Sequence, residues 1–329
     1  MKIFFINVGY GDSILIEHIN RGKKYHILID GGQSGEEHYN DFPQRIKTIE
    51  FLRERAIYKI DLLVITHLHE DHVGGLLEVV QNIEIDRMWC TFAVPIAHMG
   101  RRIVDGGYGE DASNMMKALN IFNEISCILT NKGSKIIEIV GTQLNREIVG
   151  SLYGDIFCLD KIISQELRTL LSEAYTQSNN FLIEDILIKI GNFINNTSIV
   201  MRLNYNNRKV LLTGDVYATY WTDIIARDIS IKADILKLSH HGHLDGLSEA
   251  FIRAVEPEYV VVSTSNNRTD NCPNPMIMEL FNKHYQIIGK KVEYFFTDAV
   301  HMPPYSTHES KHRAVMFDLE CHKIDSQYL

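Results

Sequence analysis

No run of eighteen apolar residues occurs anywhere in this chain, so the sequence offers no helix that could span a membrane. It has no CxxC pair: Cys90, Cys127, Cys158, Cys272 and Cys321 are far apart and odd in number. That spacing argues against a disulfide framework and against a thiolate zinc knuckle, and it fits a reducing compartment. Excess positive charge is missing too. With 33 Lys and Arg against 42 Asp and Glu, the formal net charge is −9. A general electrostatic grip on nucleic acid is therefore excluded, and a polyanion would need a local basic patch or bound cations. Repeats of fixed period and low-complexity tracts are also absent. The N-terminal MKIFFINVGYGDSILIEH has one Lys and a short apolar run before Gly9, Gly11 and Asp12, which suits a strand entering a tight turn better than a signal peptide. A cytoplasmic protein is expected.

What is present is ample material for a core. The chain has 329 residues, 45% hydrophobic and 23% charged, in the ordinary globular range. KIFFINV, SILIEH, YHILID, DLLVIT, RMWCTF, SIVMRLNY, KVLLTGD, DILKLS and YVVVST read as buried or half-buried strands, many of them stopping at polar residues. Helix-like stretches lie between them at 43–56, 74–81, 113–125, 160–177, 217–229, 247–255 and 275–284. Strands mixed with helices on this scale imply an α/β architecture of sheets covered by helices. Residues 1–95 and 196–320 carry the strands that end at polar clusters. The expectation is a single domain over 1–329 with a helical insertion at about 100–190.

The strongest chemical signal is THLHEDHVGG, residues 66–75, after the strand DLLVIT. It puts His67, His69, Asp71 and His72 within six residues. Imidazole and carboxylate are the ligands of zinc, manganese and iron at hydrolytic sites. The His-x-His alternation turns two imidazoles the same way, Asp71 and His72 can face a second metal, and Gly74 and Gly75 relieve the backbone where a helix begins. Idle solvated histidines are the bland alternative, which four donors in six residues make improbable. One loop cannot close two metal sites. Asp215, in KVLLTGDV, is a carboxylate at another strand end that can bridge two cations roughly 3.5 Å apart; alone, TGD reads equally as a turn. DILKLSHHGH then supplies His240, His241 and His243. One of the first two should be a ligand. His240, taken as the first residue past the strand, is the choice, which leaves His241 to bind or protonate substrate. His243 reads as a loop histidine.

The series NVGYGDSILI (7–16), LIDGG (28–32), THLHEDHVGG (66–75), NNTSIVMRL (195–203), LLTGD (211–215) and LKLSHHG (236–242) resembles the ComEC-type branch of the metallo-β-lactamase superfamily. The resemblance covers 1–90 and 190–320, in that family's motif order. It implies a four-layer αβ/βα sandwich with two divalent metals, Zn²⁺ or Mn²⁺, at one edge between the sheets. By position, His67 and His69 would hold the first metal, Asp71, His72 and one of His240 or His241 the second, and Asp215 would bridge. Asp30, in LIDGG, would orient a ligand histidine. It also implies a phosphodiester or nucleic-acid substrate, DNA being the one linked with ComEC. The membrane channel of that family has no counterpart here. His98, in TFAVPIAHMG, stands where many members have a further ligand but reads as an idle loop histidine, and Cys272 falls where a Gly-His-Pro histidine is common. Arg101, Arg102 and Lys117 are candidates to meet a phosphate.

The expected reaction is hydrolysis by metal-activated water, with Asp71 managing its proton and His241 meeting the substrate. A small ester or lactone would suit the same chemistry, and the acidic composition leans that way. A metal-stabilised binding or regulatory protein with little turnover is the reading from another class.

Overall fold

The computed structural model describes residues 1–306, 312–320 and 324–329; Cys321 lies outside them. Two mixed sheets pack face to face, and helices cover the outer side of each, giving the four-layer αβ/βα metallo-β-lactamase sandwich. The first sheet runs in the order Asp325–Tyr328, Ala314–Asp318, Lys2–Ile6, Ile14–Asn20, Lys23–Ile29, Leu62–Val64, Arg87–Cys90, Lys135–Glu138. The second runs Glu293–Phe296, Tyr259–Val262, Ile235–Lys237, Arg208–Leu212, Val200–Tyr205, Leu152–Phe157, Gln143–Val149.

Burial on both faces explains why these strands read as continuous apolar runs. In Lys2–Ile6, Ile3 and Phe5 point between the sheets while Phe4 and Ile6 pack under the outer helices. In Ile235–Lys237, Ile235 joins the layer between the sheets and Leu236 packs outward under helices. Period-two alternation then sends Lys237 to the inner side, into the protein.

Each sheet has an antiparallel part and a parallel part. The parallel strands Lys23–Ile29 and Leu62–Val64 of one sheet, and Arg208–Leu212 and Ile235–Lys237 of the other, deliver their C-terminal ends to one edge of the sandwich. Asp30, Thr66, Thr213 and Ser239 begin the loops there.

The stretch at about 100–190 is helical in three segments, Glu110–Asn131, Lys161–Thr176 and Asn180–Ile194. Asp160 and Asn179 cap the last two through side-chain oxygens that accept from the first free N–H groups. The helical reading fails for 135–157, which forms strands of both sheets. This stretch therefore widens both sheets and also covers the first one. Among the described residues, no helix is long and apolar enough to cross a membrane.

Candidate metal centre

Hydrogen bonding decides which nitrogen of His67 looks inward. Thr66 Oγ1 donates to Asp30 Oδ2 at 2.6 Å, and Ser198 Oγ donates to the Asn195 carbonyl at 2.7 Å. Both hydroxyl oxygens are thus left to accept, and they lie 3.1 and 3.3 Å from His67 Nδ1. His67 therefore carries its proton on Nδ1, and its bare Nε2 faces His69 Nδ1 at 3.2 Å. Burial, with His72 alongside, pushes His67 well below the ordinary imidazole value, and burial lowers His69 as well. Two neutral imidazoles with facing nitrogens form one half of a cation site.

The other half lies beside it. His72 Nδ1 donates to Asp30 Oδ2 at 2.8 Å, which aims Nε2 at Asp215 Oδ2 (3.2 Å) and Asp71 Oδ2 (3.5 Å). His241 Nδ1 donates to the Ser263 carbonyl at 3.2 Å, and its Nε2 sits 3.1 Å from Asp215 Oδ2 and 3.2 Å from Asp71 Oδ2. Asp71, His72, Asp215 and His241 thus converge on one point. Burial works against charge here, but the carboxylates of Asp215, Asp71 and Asp30 outweigh it and raise His72 well above its usual value. The same opposition takes His241 to about 9, with Asp215 as its main support. Asp71 and Asp215 are held well below the carboxylate range against burial, by His72 and His241 chiefly. The set fits a divalent cation on a further observation: buried His241 Nε2 has no aligned hydrogen bond despite two carboxylates within 3.2 Å.

Three sequence expectations need correction. His241, not His240, enters the cluster. His240 and His241 both have left-handed backbone, φ 48° and 52°, and two such residues in succession turn the second side chain into the protein. His240 instead pairs with Asp245 and lines the groove, so it is His240 that can meet substrate; His241 is fully buried. Gly74 and Gly75 also have ordinary helical φ, −56° and −72°. Glycine is required at 75 for space, since a Cβ there would stand 2.1 Å from the Gly31 carbonyl oxygen. Gly11 (φ +114°) is needed on both counts, its Cβ position lying 2.1 Å from the Asp71 carbonyl oxygen.

His98 lies elsewhere, its Nε2 2.8 Å from Ser172 Oγ and its ring near Tyr175. Cys272 is buried in the segment whose Asn274 N–H donates to the Gly242 carbonyl, beneath the histidine turn.

Sequence reasoning missed Lys237 and Asp12. The Lys237 ammonium is fully buried, ion-paired with Asp12, and 3.3 Å from Asp215 Oδ1. Burial disfavours its charge, yet the two carboxylates raise its pKa. It engages one oxygen of Asp215 and so leaves Oδ2 for the cluster. The signal was available: a lysine inside the apolar strand DILKLS must point inward and therefore needs a buried anion.

The centre floors a groove of about 1030 Å³ that exposes His69, Asp71, Asp215 and His240. One wall is apolar, from Met115, Met116, Ile121, Leu187 and Ile188; the rim has Glu37, Glu70, Glu110 and Asp111 against Arg102 and Lys117. Arg101 is not among the lining residues.

Residues 6–140 match the model of the metallo-β-lactamase superfamily. The chain is similar to ComE operon protein 3 of Bacillus subtilis (strain 168), 23% identical over 294 residues. That match takes in 86% of this chain and 31% of the relative, so the chain spans about a third of the relative's length. Among solved structures it is similar to CmlA, a diiron β-hydroxylase from Streptomyces venezuelae, at TM-score 0.42 and 14% identity over 90% of this chain and 53% of that one. A HARLDQ-motif mutant of a metallo-β-lactamase from Cronobacter sakazakii matches at TM-score 0.39 and 13% identity, covering 87% and 92%.

Proposed function

We propose that the chain is a phosphodiesterase that holds two divalent cations, Zn²⁺ or Mn²⁺, and acts on DNA or nucleotides. The observation that carries this reading is the convergence of His67, His69, Asp71, His72, Asp215 and His241 at the floor of an open groove. His67 and His69 would hold one cation and Asp71, His72 and His241 the other, with the Asp215 carboxylate available to both. Cations so held supply Lewis-acid polarisation of a substrate oxygen and a water made acidic near neutral pH. The chain's own residues do the rest. Asp71, half-buried and lining the groove, accepts the proton released by the attacking water. Asp30 and the Ser263 carbonyl fix the ring orientations of His72 and His241, and Lys237 fixes Asp215. Arg102 and Lys117, which line the groove, would meet the non-reacting oxygens of a phosphate.

A second reading, hydrolysis of a small ester or lactone, is favoured by the apolar wall and by four rim carboxylates against two basic side chains. Such a rim repels a long polyanion.

The test uses protein stripped and reloaded with Mn²⁺ or Zn²⁺, offered bis-p-nitrophenyl phosphate, labelled single- and double-stranded DNA, and a small ester. Metal-dependent phosphodiester cleavage, lost in an Asp71→Ala, His72→Ala double variant, supports the reading. Ester cleavage with every phosphodiester intact replaces it with the second. Tight metal binding with no turnover of any of them points to a binding or regulatory protein.

A further inference from the structure

The loop that follows Lys237 carries more donors than the buried centre uses. Successive left-handed residues send His241 inward and leave His240 on the groove side, with its ring 6.4 Å from that of His241. The short turns that follow bring His243 and Asp245 back to it. His240 Nδ1 lies 2.7 Å and His243 Nδ1 2.9 Å from the same oxygen, Asp245 Oδ1. One donor atom from each of the three falls within 4.8 Å of the others. His243 Nδ1 is shut off from solvent and makes no aligned hydrogen bond, although that oxygen is 2.9 Å away. His240 Nδ1 is hydrogen-bonded to that oxygen, whereas the His243 nitrogen beside it has no partner of its own.

The surroundings of His240 suit a ligand. The Asn195 amide stands at its Nε2, 3.4 Å away, and also contacts the Tyr217 hydroxyl, while the Asn195 Oδ1 is buried with no partner. An amide turned by 180° would offer that oxygen to both, accepting from His240 Nε2–H and from the tyrosine. This is the outer contact that metal-ligating histidines ordinarily make, and it turns Nδ1 toward Asp245 Oδ1 as the ligand nitrogen.

We propose that His240, His243 and Asp245 form a third, mononuclear divalent-metal site at the mouth of the groove. Two imidazoles and one carboxylate select a borderline cation, Zn²⁺ above all, and three protein ligands leave a position open. Because His240 lines the groove, that position faces substrate and would take an anionic oxygen of it. The metal site itself stands whether or not the phosphodiesterase reading does; only the oxygen it would hold depends on that reading.

The experiment counts metal in the full chain. Stripped protein is titrated with Zn²⁺ and the bound ion is counted by native mass spectrometry and elemental analysis. Wild type should saturate at three per chain, and Asp245→Asn and His243→Gln at two. The Asp71→Ala, His72→Ala variant should keep the outer ion, and lose it when Asp245→Asn is added. Wild type that takes up no more Zn²⁺ than Asp245→Asn overturns the proposal whatever the count at the buried centre, and that comparison does not bear on hydrolysis. If Asp245→Asn fails to fold, His243→Gln takes its place in the comparison.

Discussion

The loop at 66–75 turns His67, His69, Asp71 and His72 toward a single centre, whereas the loop at 239–245 divides its donors, His241 going inward and His240, His243 and Asp245 to the rim. Spacing accounts for the difference. In the first loop an extended run places His67 and His69 two residues apart on one side, and a one-turn helix at Glu70–Val73 presents the next pair. In the second, adjacent histidines can reach different places only through a backbone reversal. The first loop thus commits its donors to one place, while the second splits its donors between the buried cluster and the groove side.

The largest expected effect is at the shared centre. His241→Ala should drop metal-dependent turnover to background and remove a cation, while His240→Ala should cost about tenfold or less. Steady-state kinetics with metal counting on both variants decides it, and the reverse order would undo the division of the second loop.

Lys237→Met should come next. It leaves Asp12 and Asp215 buried without their partner, and breaking a buried pair costs about 3–5 kcal/mol. Chemical denaturation of the metal-stripped protein measures it. A change under about 1 kcal/mol would show that the lysine is not held as described.

Asp30→Asn should weaken metal binding or activity by roughly 10–100-fold by loosening His72, with the fold retained. Asp30 also accepts from the Thr66 hydroxyl that sits against His67, so stepwise Zn²⁺ titration should show both sites weakened, and unchanged affinity at both would contradict this role.

The smallest effect is a pH dependence that runs in opposite directions with and without metal. His241 titrates at about 9 when the carboxylates face it without a cation, above the ordinary 6.5. Its contribution to the stability of metal-stripped protein is therefore full below about 6.5 and is lost as pH rises through about 9. A cation competes with that same proton, so metal affinity rises over the same interval. Melting temperatures of stripped and loaded protein across pH 6.5–9 should diverge, and parallel curves would refute the protonated pairing.

The legible parts of the chain were those where one residue type settles the matter. All nine strands read from apolar runs form, and the contiguous donors of 66–72 lie together as their spacing implies. Gln143–Val149 was missed as a largely polar edge strand and Glu293–Phe296 as a short, half-exposed one, while the buried Ala314–Asp318 lies among polar residues near the C-terminus. Ala314–Asp318 pairs with Lys2–Ile6 at the other end of the chain. The choice between His240 and His241 rested on the sign of φ, which neighbouring identical residues do not announce. Lys237 was overlooked because its anion, Asp12, comes from the other end of the chain.

The register of strand Lys2–Ile6 also governs how the molecule is made. It pairs with Ile14–Asn20 on one side and with Ala314–Asp318 on the other, Lys2 opposite Asp318. During synthesis, His67 to His72 emerge long before Asp215 and His241, which follow some 145 and 170 residues after the first motif, on the order of ten to thirty seconds at typical elongation rates. A nascent chain thus shows half a donor set beside an unpaired strand edge, a combination that invites wrong metals and wrong partners. Asp215, His241 and the Ser263 carbonyl that orients it all follow strands of the second sheet, so a fragment that stops at residue 140 carries only half of the donor set.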